Sequence, residues 1–196
     1  MIGNTLLLFE GTDGLILCCG GLIVLGGLAF VAVTYNRLVT LRNRVSNQWA
    51  QIDVQLKRRY DLIPNLVETV KGYMKHEQTV LENVTKYRAM IVTGTPGEKA
   101  AANNMLTQSL KSLFAVAESY PKLEASDQFK MLQEELSGTE NKISYIRTAY
   151  NDAVTEFNTA CDVFPTNLIA NLLGFKHAVF YEVADAERQN VQVKFQ

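Results

Sequence analysis

Residues 58–68 read RRYDLIPNLVE, a helix-favouring stretch with Pro64 in its middle, and the fold turns on whether the chain stops there. Upstream, Leu38, Leu41, Val45, Trp49, Ile52, Leu56, Tyr60 and Ile63 recur in steps of three and four, which marks one helix face. The series resumes at Val67, Val70, Met74, Leu81, Val84 and Ile91, with Glu77 and Arg88 interrupting it in register. Proline removes a backbone hydrogen bond and crowds the carbonyl four residues back, here Tyr60, at about 3 kcal/mol in a helix interior. Because the stripe keeps its register on both sides, a bend is expected in preference to a break. A single helix over 35–92 would span about 85 Å before Gly94 and Pro96 end it.

Downstream, TPGE at 95–98 places Thr95 as N-cap, Pro96 at the first helical position and Glu98 in a capping box. The helix it opens carries Leu106, Leu110, Leu113, Ala117 and Tyr120, and Pro121 closes it. A third pattern runs from Phe129 through Leu132, Leu136, Thr139, Ile143, Ile146, Tyr150, Ala153, Phe157 and Ala160 to Phe164. Ser126 or Asp127 can cap its start, and Pro165 marks its stop. Strand-like alternation is confined to Val191, Val193 and Phe195. One-sided helices must bury their stripes on one another, so the soluble part is expected to be an elongated antiparallel bundle of three to four helices.

Towards the N-terminus, Gly14–Asn36 carries no charge and is long enough to cross the roughly 30 Å hydrocarbon core as a helix. A cleaved signal peptide would need basic residues before the apolar run; here Glu10 and Asp13 precede it and Arg37, Arg42 and Arg44 follow. The positive-inside rule puts those arginines in the cytoplasm, giving an all-α, single-pass chain. Its parts are an extracytoplasmic stretch 1–13, a span 14–36, a cytoplasmic bundle 37–175 and an extended tail 176–196. Gly20, Gly27 and Thr34 share a face of the span, though not in GxxxG spacing.

Net charge is −1, so no global field recruits nucleic acid. Cys18, Cys19 and Cys161 make neither a disulfide framework nor a CxxC metal spacing, and read as small apolar residues. KHEQTV hints at a zincin helix, but position 80 is Val where the second histidine must stand, and His177 is remote. Neither a phosphate-cradling glycine loop outside the span nor a GxSxG elbow occurs. No catalytic, cofactor-binding or metal-ligating residue is assigned, no cofactor is expected, and enzymatic activity is not expected.

Two polar constellations remain: Asp53, Gln55, Arg58, Arg59, Asp61, Asn65 and Glu68 around Pro64, and Glu140, Asn141, Arg147, Tyr150, Asn151 and Asp152 within TENKISYIRTAYND. They form either solvated helix surface or a junction across the bundle, in which Asn65 or Arg147 would satisfy the Tyr60 carbonyl. The apolar run 164–183 has three possible fates: covering the bundle end, packing on a second copy, or lying on the membrane.

Three stretches resemble the LemA family of bacterial membrane proteins. They are YNRLVTLRNRVSNQWAQIDVQLKRRYDLIPNLVETVKGYMKHE at 35–77, FKMLQEELSGTENKISYIRTAYNDAVTEFN at 129–158 and FPTNLIANLLGF at 164–175. KYRAM at 86–90 fits less closely, and 93–118 holds no diagnostic motif. The resemblance implies a short N-terminal anchor and a cytoplasmic helical bundle in the bacterial inner membrane, with no catalytic residues to carry over. It also implies links with an HtpX-type membrane metalloprotease and with membrane-associated assemblies. The expected function is a non-enzymatic scaffold with the lipid bilayer and further copies of itself as partners. The alternative is an adaptor or regulator of a membrane protease or envelope signalling system.

Overall fold

A computed structural model describes residues 3–74 and 76–182, with side chains from Gly20 onward. The expected alternation of Val191, Val193 and Phe195 lies outside the described residues. The described chain is all-α, without a strand: α1 Gly3–Lys71, α2 Gln78–Thr93, α3 Pro96–Ala117, α4 Pro121–Glu124, α5 Asp127–Asp162 and α6 Thr166–Leu172. Two compact units form, one from the chain up to Asn43 with Phe157–His177, the other from Arg44–Glu156 with the chain from Ala178.

In the second unit α1 continues through Pro64 without a break. The helix expected to reach residue 92 instead ends at Lys71, where Gly72 opens a turn and the Tyr73 and Met74 amides both donate to the Val70 carbonyl at 2.9 Å. A straight rod would leave Leu81, Val84 and Ile91 bare; folding α2 back buries all three. The buried line of α1 also differs from the expected one. Arg59 and Leu66 lie inside, while Tyr60 and Val67 are only half-buried.

Across this unit, Arg44 meets Glu156, Trp49 meets Tyr150 and Arg59 meets Glu140, so α1 and α5 are antiparallel. Asp53 pairs with Lys99, and Arg59 reaches Asn103 and Thr107, so α3 runs parallel to α1. The result is an antiparallel four-helix bundle. Its caps follow the sequence. Thr95 and Glu98 form the capping box, and the Ser126 hydroxyl accepts from the Phe129 amide at 3.4 Å. Gly94 is required there, because an added Cβ would come 2.9 Å from the Glu98 Cβ.

In the first unit, α1 is exposed from Gly20 to Val33 and turns its Thr34, Leu38 and Leu41 inward. Among the described residues, Phe157, Ala160, Cys161, Ile169 and Ala170 are the other buried side chains there. Phe175 stands edge-on to Tyr35 at 6.1 Å and to Phe157 at 6.4 Å, with Arg42 over its ring at 5.5 Å. After α6, Gly174 takes φ 71°, the Phe175 amide bonds the Ala170 carbonyl and the Gly174 amide the Asn171 carbonyl, a complete Schellman stop. Among the described helices, α1 alone is long and apolar enough to cross a membrane, with a mean hydropathy of 1.8 over 18 residues.

Candidate functional site

A long polar side chain is expensive to bury unless its donors find acceptors. Arg59 is 2% exposed, and the fold surrounds it with oxygens. From α3, Asn103 Oδ1 lies 2.7 Å and Thr107 Oγ1 2.9 Å from its Nη1. From α5, Glu140 accepts from the same nitrogen and forms its ion pair. The Thr107 hydroxyl is also 3.0 Å from both Glu140 Oε2 and the Asn103 carbonyl. One guanidinium thus ties three helices together.

Burial lowers the pKa of Arg59, and the Glu140 charge opposes that shift. Tyr181, 2% exposed, reaches the same cluster from the C-terminal segment. Burial pushes its hydroxyl up to about 12; Asn103 favours ionisation from nearby but stands outside hydrogen-bonding geometry. Gln55 Oε1, Arg59 Nε and the Tyr181 hydroxyl are buried without a partner among the described groups. A cavity of about 190 Å³ adjoins the cluster, lined by Arg59, Thr107, Glu140, Asn141, Ser137 and Lys111 among others.

The Tyr181 segment is fixed through backbone atoms. Asn151 Oδ1 accepts from the Tyr181 amide at 2.9 Å while its Nδ2 donates to the Tyr181 carbonyl at 3.1 Å. Tyr150 donates to the Val179 carbonyl at 2.7 Å and Asn104 to the Glu182 carbonyl at 3.1 Å. The asparagine satisfies both backbone groups of a residue outside regular secondary structure, which a helix surface otherwise cannot do.

The two polar constellations therefore meet, through Arg59 and Glu140. Their other members divide. Asp53 pairs with Lys99 at 2.6 Å and Arg58 with Glu135 at 3.1 Å, while Asp61, Asn65, Glu68 and Asp152 stay on the surface. The Tyr60 carbonyl released by Pro64 is bonded neither by Asn65 nor by Arg147. Arg88 of α2 donates its Nε to it at 3.0 Å and lays its guanidinium 3.7 Å from the Tyr60 ring centroid. Arg88, which interrupts the α2 stripe, is the residue that makes the proline tolerable. Sequence reasoning also missed Asn103 and Thr107; their i, i+4 placement beside Leu106 and Leu110 was the available signal.

Chemically the arrangement holds and orients. Arg59 and Glu140 pair with one another while Arg59 Nε keeps no partner among the described groups, and among the described residues no cluster of three or more His, Cys, Asp and Glu side chains assembles.

Comparison with known proteins adds a lineage. The family model described as the LemA family matches residues 48–195. The chain is 26% identical over 176 residues to Protein LemA of Metamycoplasma hominis, covering 87% of this chain and 79% of that one. It is 24% identical over 189 residues to Magnetosome protein MamQ 2 of Paramagnetospirillum magneticum, covering 81% and 70%. Against Magnetosome protein MamQ of Magnetospirillum gryphiswaldense it is 22% identical over 188 residues, covering 81% and 69%.

Proposed function

The chain belongs to the LemA family, and from that premise we propose that it is a non-enzymatic, membrane-anchored scaffold that self-associates at the inner membrane. It is a membrane-associated helical protein; the scaffold role, the membrane's identity and the orientation are the proposal. The observation that carries it is α1: one uninterrupted helix, bare and apolar from Gly20 to Val33, and further along lined with Ile52, Leu56 and Ile63 as bundle core. Such a helix supplies an anchor and a building block in one element. The Arg59 cluster supports the same reading, because its polar groups key three helices to one another. Arg37, Arg42 and Arg44 favour a cytoplasmic bundle by the positive-inside rule.

Self-association is favoured by the span itself, where added Cβ atoms at Gly20, Gly21, Gly26 and Gly27 meet nothing within 4 Å and a second helix can approach closely. The adaptor reading has its own support in an open groove of about 820 Å³ between α1 and α2, with Val67, Met74 and Leu81 along it. Measuring the mass and composition of the complex extracted from membranes in mild detergent separates the two. A discrete homo-oligomer is expected; a single copy co-purifying with a different membrane protein makes it an adaptor and overturns the scaffold.

A further inference from the structure

In the first unit, α6 is apolar on two sides, and only one of them is covered. Ile169 and Ala170 are buried, whereas Leu168 and Leu172, spaced at i and i+4, are 61% and 84% exposed, and Phe164, in the turn just before the helix, is 75% exposed. Val163, 51% exposed, widens the patch. Water is a poor solvent for such a stripe, and soluble surfaces seldom keep one. Its location names the occupant. Along α1 the unbroken run of exposed side chains ends at Val33, 67% exposed, and the first buried one is Thr34, 5% exposed, which marks where the span gives way to packed protein. Two residues on, Tyr35 touches Phe175 at 6.1 Å, and the Phe175 amide is bonded to the Ala170 carbonyl of α6. The short helix is therefore seated on the stretch of α1 that leaves the span, with an aromatic pair at the level where such rings favour a membrane–water boundary.

Charge agrees with the position. Arg37, Arg42 and Lys176 flank this end of the unit and are exposed, and Asp162, ahead of α6 in the chain, is hydrogen-bonded to the His177 ring at 2.9 Å. Cations at that depth are drawn to anionic headgroups.

We propose that α6 is a second membrane contact, its Leu168–Leu172 stripe lying, with Phe164 of the preceding turn, in the interfacial layer of the bilayer that α1 crosses. The inference rests on the reading of α1 as a span. An interfacial helix of this kind gains by burying its apolar side just below the headgroups while staying in the plane of the surface. A second copy could cover the same stripe, and the test separates the two.

The full chain carrying Leu172→Trp is reconstituted into vesicles of mixed zwitterionic and anionic phospholipids, with the unsubstituted chain and its single Trp49 as baseline. Lipids brominated near the headgroup end of the acyl chain are expected to quench the added emission at least twofold, and lipids brominated near the chain terminus to quench it less. Added emission that is red-edged and unquenched places the stripe in water and overturns the proposal. Added emission that is blue-shifted, unquenched and dependent on the protein-to-lipid ratio assigns it to a second copy and also overturns it. A parallel Leu25→Trp chain reads the span. If it is unquenched, the anchor fails; if it is quenched while Leu172→Trp is not, only the α6 proposal fails.

Discussion

Of the arginine–glutamate pairs that join α1 and α5, Arg44–Glu156 and Arg59–Glu140 differ almost entirely in their surroundings. Arg44 and Glu156 are 57% and 47% exposed, whereas Arg59 and Glu140 are 2% and 27% exposed. At the first pair water solvates both partners, so the bond replaces favourable hydration and yields at most about 1 kcal/mol. At the second, the guanidinium has left water, and everything depends on the oxygens that replaced it. The same chemistry is an ornament in one place and a constraint on three helices in the other.

The sharpest way to break this contrast is Arg59→Ala, which leaves Glu140, Asn103 and Thr107 facing one another. It should lower the unfolding free energy of the full chain in detergent by about 3–5 kcal/mol; a loss below about 1 kcal/mol, the size given by surface pairs, would erase the distinction. Next in size is the alkaline limit set by Tyr181. In the folded chain its hydroxyl stays neutral up to about pH 12, whereas it ionises near 10 when unfolded. The stability it contributes is full below pH 10 and is lost as the pH rises towards 12, to the extent of roughly 2–3 kcal/mol. Unfolding titrations at pH 9 and pH 11 should show about half of this loss, and Tyr181→Phe should flatten it.

Arg88→Met comes third. It orphans the Tyr60 carbonyl and should cost about 1–3 kcal/mol; in a Pro64→Ala background, where the Pro64 position regains its own amide donor, most of that cost should disappear. The smallest effect belongs to Arg44→Ala, expected within about 0.5 kcal/mol by the same unfolding measurement.

Which of these features the sequence reveals depends on how local their causes are. The Thr95–Glu98 box and the Ser126 cap are set by a few neighbouring residues and were legible. The turn at Gly72 was not, because a helix that folds back keeps its apolar face in register on both arms. Periodicity therefore cannot distinguish a hairpin from a rod. Arg59 was passed over for Tyr60, since steps of three and four both fit a helix face and the aromatic residue looked the better core candidate. Arg88 was legible as an interruption but not as the partner of a proline on another helix. That partnership, like the one between Arg59 and Asn103, exists only once the elements pack.

The account stands most directly on the claim that the Arg59–Glu140 cluster serves the fold. Replacing both with apolar residues of similar length, Arg59→Met with Glu140→Met, removes the charges without leaving one stranded. Measured by unfolding and by the mass of the membrane-extracted complex, the double variant should be as stable as the parent or more so and assemble to the same size. A double variant that folds with parental stability yet loses its complex would contradict the account, because the cluster would then be the place where a partner binds.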